Sequence, residues 1–545
     1  MNKFKLLDCT LRDGGRIIDC KFQDNEITDI AQRLQDANIE IIEMGFLRDP
    51  VKVDYKGDST FFTKVEQIAP FIPKERNNTL YVAFIDYSMF DFDSLTPYDG
   101  KSVEGLRIGF TKKDFDTDLD NLILALKKVK KLGYKLFIQG VNSLAYTDLE
   151  FLKIIEFVNE IEPYAFAIVD TYGAMYEEDF SHLFDLADKN LKDGIVLAFH
   201  SHNNYQLSFS LAQKFIQLSI PTTRDIVIDG TLNGMGKCAG NLNLELIADY
   251  LNRKYGYNYK TENLMDIIDE YMYNIQKNCT WGYSIPSVLA AIYKSHPNNV
   301  IYLTEKFRLS TKDIKYILSM IPEDKRTRYD YDLIKQLYID YNHTKVDDAE
   351  TLKLIKEKLD KKNILILVPG NSLITHKNEI LLHMNDDNLI VIPVNHISDL
   401  CSKKKQLPFF GSEKRYSKFA LQKDSIQNIV VSNIFNHKPD DYVVNYESLI
   451  ERNNKYFDSS IIMLLNLLHS IDIDNYTIAG FDGFKSNENN YYNKEMFEDG
   501  RFQAEYDDLT SNIKLMLKDY VKKINKPENI KFITPSMYEN IFHKD

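Results

Sequence analysis

Residues 195–204 read IVLAFHSHNN. The stretch begins as an apolar, β-branched and aromatic run and ends in polar residues, which is how a buried strand of a parallel sheet reads. Seven more runs of this kind accompany it: KLLDCT (5–10), IEIIEMGF (39–46), LYVAFID (80–86), LRIGF (106–110), KLFIQG (135–140), AFAIVDT (165–171) and DIVIDG (225–230). Helical patterns lie between them. EITDIAQRLQDANI places apolar residues at 27, 30, 31 and 34, one face of a 3.6-residue repeat. LDNLILALKKVKKLG does the same and stops at Gly133, the residue type that ends helices, and DLEFLKIIEFVNEI is a third such face. About eight strand–helix units in about 250 residues predict a (β/α)8 TIM barrel. A doubly wound sheet would call for a glycine-rich first turn, which is absent here.

The rest of the chain divides by pattern. Residues 1–258 are expected to hold the barrel. Over 259–345 the strand signals fade and LMDIIDEYMYNIQ, IPSVLAAIY, TKDIKYILSMI and YDLIKQLYIDY predict a helical extension. Residues 346–361, VDDAETLKLIKEKLDK, predict a charged connecting helix. Strand patterns return in NILILVPG (363–370), NLIVIPVN (388–395), NIVVSNIF (428–435), YVVNY (442–446) and YTIAGFDG (476–483), so 362–545 is expected to form a second, Rossmann-like α/β domain.

Composition narrows the function classes. Of 545 residues, 44% are hydrophobic and 27% charged, which excludes a largely disordered chain. The net charge of −13, without a block of basic residues, argues against binding to nucleic acid or an anionic membrane surface. The five cysteines are scattered and odd in number, as in a reducing compartment. No apolar run approaches the roughly 20 residues that span a bilayer. The opening MNKFKLLDCTLRDGG reaches Arg12 and Asp13 too soon for a signal-peptide apolar region. A cytoplasmic location is therefore expected.

The chemistry concentrates at strand ends. In AFHSHNN, His200 and His202 are two residues apart and share a strand face. They lie at the C-terminal end of a strand, where barrel enzymes place catalysis. LDCTLRDGG ends the first strand with Arg12 and Asp13. One carboxylate and two imidazoles form a facial set for a divalent cation with positions left for substrate. The mixed set favours Mn2+ or Mg2+ over Zn2+.

LDCTLRDGG, IEMGF, VDTYG, HSHNN and GMGKCAGNLNLE, in that order and spacing, resemble the DRE-TIM metallolyases, the superfamily of 4-hydroxy-2-oxovalerate aldolase, HMG-CoA lyase and isopropylmalate synthase. The resemblance covers about residues 1–255. It implies Asp13, His200 and His202 as metal ligands, Asn241 as a ligand or close neighbour of the metal, and Arg12 as the arginine that stabilises an enolate. The opening motif and WGYSIPSVLAAIYKSHPNNV (281–300) look most like the aldolase-type members. Those aldolases carry a histidine base three residues after the metal aspartate, whereas this chain has Arg16. Arg16 would suit an anionic substrate group instead, or is a surface arginine in a loop. Metal-bound water, Tyr205 and Glu43 are then the candidates for the base. Arg107, Gln139 and Thr171 sit at strand ends as substrate-binding candidates. Cys238 is placed as a thiol of the glycine loop outside the chemistry, and Asp8 as a support of the site.

In the second domain, NILILVPGNSL runs a strand into a Gly-Asn-Ser turn. Gly370, Asn371 and Ser372 could present N–H groups to a phosphate, with Asp482 as a metal or sugar ligand. Segment 363–485 loosely resembles sialyltransferase-like and pterin diphosphokinase-like proteins, which implies a nucleotide-sugar or pterin-like ligand; an inert domain used for assembly is the alternative. The sequence thus predicts a metal-dependent aldolase or carbon–carbon lyase. It would act on a 2-oxo acid through a pyruvate enolate with an aldehyde partner, fused to a possible nucleotide-sugar module of surface-glycan biosynthesis, in a homo-oligomer. The alternatives are an acyl-CoA lyase or synthase, a glycosyltransferase or nucleotidyltransferase activity in the second domain, and a non-catalytic scaffold.

Overall fold

The eight apolar runs become strands that all run parallel. They are β1 (Phe4–Asp8), β2 (Ile41–Leu47), β3 (Leu80–Asp86), β4 (Gly105–Phe110), β5 (Lys135–Gly140), β6 (Ala165–Asp170), β7 (Val196–Ser201) and β8 (Ile226–Gly230). Each pairs with the next, and β1 pairs with both β2 (Leu7 opposite Ile41) and β8 (Leu7 opposite Asp229), which closes the barrel. The computed structural model describes residues 3–52, 59–305, 311–327, 329–341, 346–421, 426–454, 456–485, 490–496 and 503–543. Helices α1 (Asp24–Asp36), α2 (Lys112–Thr117), α3 (Leu119–Lys131), α4 (Asp148–Ile161), α5 (Glu177–Asn190), α6 (Ser208–Ser219) and α7 (Leu244–Tyr255) surround it.

The barrel departs from strict alternation in two places. Among the described residues, β2–β3 and β3–β4 are joined through short 3-10 turns, not α-helices. Their sequences, such as PFIPKERNN and DYSMFDFDSLTPYDG, are broken by Pro, Asn, Asp and Gly and hold no 3.6-residue face.

Strand parity divides the interior into two layers. Leu7, Ile41, Val82, Phe137, Ala198 and Val227 pack as an apolar interior cluster. One step along the same faces come Glu43, Arg107, Gln139, His200 and Asp229, all buried. The barrel is therefore oily at its base and charged at its C-terminal mouth. A bulge helps: the register of β2 on β3 shifts between Glu43 and Phe46. Gly45 sits in it at φ 146°, and a Cβ there would lie 2.1 Å from the Thr60 carbonyl oxygen, so no larger residue fits.

The chain divides into two compact units, Met1–Ile334 and Lys335–Asp545. After α7 the first unit continues in helices, among them Thr261–Ile267, Ile285–Ile292, Pro297–Glu305 and Thr311–Met320. The second unit is an open α/β structure. Its strands are β9 (Asn363–Leu367), β10 (Leu389–Pro393), β11 (Phe409–Phe410), β12 (Ile429–Val431), β13 (Tyr442–Val444), β14 (Thr477–Ala479) and β15 (Lys531–Phe532). They pair in parallel as β10-β9-β14-β15 and β11-β12-β13. A Val394–Phe409 bridge links the two sheets. The order reverses between β9 and β14, the switch point at which open α/β sheets form a crevice. Among the described residues, no helix is long and apolar enough to cross a membrane.

Candidate metal centre

The turn after β1 folds tightly because one carbonyl serves three donors: Arg12 N, Asp13 N and Gly14 N all donate to Cys9 O. Asp8, buried at the end of β1, fixes the turn by accepting from Thr10 N (3.0 Å) and Thr10 Oγ1 (2.6 Å). Burial pushes the Asp8 carboxyl up to about 7. The turn delivers Asp13 to the mouth, opposite the end of β7. Ligand atoms of Asp13, His200 and His202 all lie within 4.8 Å of one another. Asp13 Oδ2 is 3.0 Å from His202 Nε2 and 3.8 Å from His200 Nε2.

Neighbours fix both rings. His200 Nδ1 donates to Asp229 Oδ2 (3.0 Å) and His202 Nδ1 to the Asp170 carbonyl (3.1 Å). With both Nδ1 atoms committed as donors, both Nε2 atoms turn toward one carboxylate oxygen. Burial opposes charge on Asp13, yet Arg12 and then His202 hold its carboxyl well below the usual range. Burial also opposes charge on His202, and Asp13 outweighs it, raising that imidazole. The pocket is thus shaped for positive charge between these three groups. Asn241 Nδ2 donates to Met235 O (3.0 Å), and Asn241 Oδ1 is buried without a partner. Two imidazole nitrogens, a deprotonated carboxylate and a spare amide oxygen fit a divalent cation. Sequence reading proposed these four residues as ligands; the structure brings the first three together and leaves the fourth's oxygen unused.

Arg12 is buried beside them. Its Nη1 donates to Asp13 Oδ1 (2.6 Å), its Nε to Glu43 Oε2 (2.6 Å), and the guanidinium lies 4.4 Å from the Phe84 ring centre. Its Nη2 is buried with no hydrogen-bond partner. A donor left over on a side chain held at three other points is preorganised for an incoming oxygen.

Several sequence expectations need correction. Arg107 is fully buried, pairs with Glu43 (3.0 Å) and Asp229, and so links two carboxylates instead of meeting substrate. Gln139 turns its amide oxygen to Arg107 Nε (2.8 Å) and belongs to the same buried network. Glu43 lies between two guanidiniums: its Oε2 accepts from Arg12 Nε, and its Oε1 is 3.0 Å from Arg107 Nη1, an ion pair without a hydrogen bond. Tyr205 stacks on Tyr176 at 5.2 Å, and burial pushes its phenol up to about 12, which disfavours it as a base. Burial likewise pushes the Cys238 thiol up to about 11. Thr171 Oγ1 accepts from Asn142 N (2.8 Å). Arg16 does lie at the site: its Nε is 3.3 Å from Asp13 Oδ1, and its guanidinium is 4.8 Å from the Phe46 ring centre.

The proposed phosphate turn of the second unit is already filled. Ser372 N donates to Asp482 Oδ2 (2.8 Å), and Ser372 Oγ donates to Asp482 Oδ1. Gly370 N donates to the Val368 and Gly480 carbonyls, and Asn371 is exposed.

Sequence reading missed Asp229, which orients His200. Its signal was available: it lies two residues beyond Val227, on the inward parity of β8.

Comparison with known proteins adds the family. The HMGL-like family model matches residues 106–270. Residues 106–270 form an HMGL-like domain of the DRE-TIM family. The chain is 25% identical over 260 residues to 2-isopropylmalate synthase of Staphylococcus carnosus, covering 46% of this chain and 48% of that protein. It is 24% identical over 324 residues to 4-hydroxy-2-oxovalerate aldolase of Pelotomaculum thermopropionicum, covering 57% of this chain and 89% of that one. The chain spans about half the length of the 2-isopropylmalate synthases it matches. Among solved structures, HMG-CoA lyase of Brucella melitensis superposes with a TM-score of 0.41 at 12% identity, covering 50% of this chain and 98% of that one. The HMGL-like domain contains β4 to β8, and so includes His200, His202, Asp229 and Asn241, while Arg12 and Asp13 precede it in the chain.

Proposed function

We propose that the barrel is a divalent-metal-dependent aldolase that makes or breaks a carbon–carbon bond through the enolate of a 2-oxo acid, with pyruvate as product or nucleophile and an aldehyde as partner. The observation that carries this reading is the unpartnered Arg12 Nη2 beside the Asp13, His200 and His202 cluster. Asp13, His200, His202 and Asn241 would hold Mn2+ or Mg2+, which would supply Lewis acidity to a bound 2-oxo acid. Arg12 then places a permanently charged donor at the oxygen on which negative charge develops. Asp13 and Glu43 hold that guanidinium so that it does not reorganise as the charge appears. Asp229 keeps the proton on His200 Nδ1 and so keeps Nε2 available as a ligand. Thr171 offers its hydroxyl proton to a substrate carboxylate. The second unit is a separate module; a nucleotide-sugar ligand for it would have to bind elsewhere than at the filled turn, and thermal shift with nucleotide sugars checks this.

The test is release of pyruvate from 4-hydroxy-2-oxo acids, followed by coupled reduction to lactate. Chelation is expected to abolish it, and Asp13→Ala to abolish it without loss of fold. Arg12→Gln is expected to lower kcat by roughly a hundred- to a thousandfold, the scale of losing one preorganised donor. Full activity in Arg12→Gln would remove this reading. The synthase relatives, at 25% identity, favour acyl-CoA condensation as the second reading. Release of free thiol from acetyl-CoA with a 2-oxo acid, without cleavage of hydroxy-oxo acids, would select it.

A further inference from the structure

The candidate ligand Asn241 follows a loop that is poorly suited to hold its own shape. Residues 234–240 read GMGKCAG, three glycines in seven. Glycine loses more backbone freedom on folding than any other residue, so such a loop needs fixing from outside. Inward, it is tied to the turn that carries the second histidine. Asn203 N donates to Gly240 O (2.8 Å), Ala239 N donates to Asn204 Oδ1 (3.1 Å), and His202 pairs with Asn241 in an antiparallel bridge. The two ends of the loop close on each other, with Asn241 N donating to Gly234 O (3.0 Å). Gly240 sits at φ 78°, and a Cβ there would collide with that same carbonyl oxygen, so the pinch admits only glycine.

The outward side is held by one segment of the helices that follow the barrel. Trp281 Nε1 donates to Asn233 O (2.8 Å), at the residue that enters the loop. Asn233 is itself at φ 54°, and its N–H donates to Glu245 Oε2 (3.0 Å). The indole Cδ1 also faces Gly240, 3.3 Å from where a Cβ would stand. One side chain therefore covers both ends of the pinch from which Asn241 emerges. Gly282 N adds a bond to Cys238 O (3.2 Å), and Lys237 Nζ one to Asn298 Oδ1 (3.1 Å). The segment is anchored further along, where Ala291 packs with Tyr172 and Ala174 of the loop after β6. Trp281 packs against the main core of this unit, which holds the indole in turn.

The consequence falls on Asn241. Its Nδ2 donates to Met235 O (3.0 Å), within the loop, and its Oδ1 has no partner among the described residues. The amide is thus oriented by the loop alone. Groups that orient a metal ligand set affinity nearly as much as the ligand does. We propose that Trp281 is a positioning residue: it locks the glycine loop and thereby aims the Asn241 amide oxygen at a cation held by Asp13, His200 and His202. This rests on the metal reading of the barrel mouth. Trp281 acts through the loop and is not itself a ligand, because an indole N–H donates and has no lone pair to offer a metal.

Mn2+ titration of the full chain, with free Mn2+ followed by electron paramagnetic resonance, tests this without turnover. The native chain is expected to bind Mn2+, and Asp13→Ala to lose that binding. Trp281→Phe keeps a ring and loses the N–H; Trp281→Ala loses both. The first is expected to weaken Mn2+ binding about tenfold and the second up to about a hundredfold, the scale of removing a group that orients a metal ligand. A purely structural role would also lower affinity, so the deciding measurement is made in Asn241→Ala. There the oxygen to be aimed is gone, and Trp281→Phe should cost no further affinity. Losses that multiply in the double variant overturn the positioning role, as does Mn2+ binding unchanged in Trp281→Phe. Should Trp281→Ala fail to fold, Trp281→Phe and the double variant still decide. If the native chain binds no Mn2+, or binding survives Asp13→Ala, the metal reading falls and the positioning role with it. If the native chain binds and Trp281→Phe changes nothing, the positioning role falls alone.

Discussion

Two strand-end turns in this molecule use the same parts to opposite ends. After β1, the turn Cys9–Gly15 presents Asp13; after β9, the turn Val368–Ser372 meets Asp482. Both lie at the C-terminal ends of parallel strands, where open sheets and barrels place ligands. In the second turn the groups satisfy each other: Asp482 takes the Ser372 N–H and hydroxyl, and Gly370 N donates to two carbonyls. In the first they do not. Arg12 Nη2 and Asn241 Oδ1 are buried with no hydrogen-bond partner, and two imidazoles turn their Nε2 atoms toward one oxygen. Buried polar atoms are nearly always paired, so the unpaired ones report what is meant to arrive. A carboxylate at a strand end is not itself the sign of a site; the unpaired atoms around it are.

The comparison sharpens most at Arg107. This guanidinium is fully buried and bridges Glu43, which holds Arg12, to Asp229, which holds His200. Arg107→Met leaves two buried carboxylates short of a cation. Breaking such a pair costs about 3–5 kcal/mol. A fall in the thermal midpoint of the barrel unit is expected, with Arg107→Lys intermediate because an ammonium cannot serve both carboxylates in one plane. A change below about 1 kcal/mol would show that the network is not what holds the mouth in place.

How much of this was legible follows from what each pattern encodes. Period-two alternation in IVLAFHSHNN puts His200 and His202 on one face whatever the rest of the fold does. The barrel follows from the repetition of strand and helix, but the 3-10 connections after β2 and β3 override that alternation. Arg107 and Gln139 show why a site cannot be read from strand ends alone. Parity tells that both point inward; it does not tell that Asp229 and Glu43, from strands far apart in sequence, point at the same spot. The Ser372 turn misled for the same reason, since Asp482 lies 110 positions away along the chain.

A second way to separate the units uses pH. His396 is buried in the second unit; its Nδ1 donates to the Val394 carbonyl (2.9 Å), and its Nε2 has no partner. Burial pushes its pKa down from 6.5 to about 4. Below pH 6.5 the unfolded chain takes up a proton that the folded unit refuses until about pH 4. Stability present above pH 6.5 is therefore lost as pH falls through that window, by roughly 3 kcal/mol at most. Hydrogen exchange in the core helix Ser460–Ser470, followed from pH 7 to 4, should show this acid slope in the native chain. His396→Gln should flatten it. A slope unchanged in His396→Gln would place the acid sensitivity on another group.

The smallest expected effect bears most directly on the comparison. Asp482→Ala frees the Ser372 N–H and hydroxyl in a half-buried turn, which is expected to cost the second unit about 1–3 kcal/mol. Pyruvate release by the barrel should not change. If the turn is an anion site filled by its own carboxylate, inorganic phosphate should return stability to Asp482→Ala in a dose-dependent way while leaving the native chain unaffected. The reason is geometric: the freed N–H and hydroxyl point at one position, and any oxyanion small enough to enter can replace the missing carboxylate. If phosphate restores nothing, Asp482 is a structural latch and the turn is no anion cradle, filled or open. Full rescue would instead mean that this turn is an anion cradle supplied with its anion by the fold, whereas the turn after β1 spends its carboxylate on a cation site.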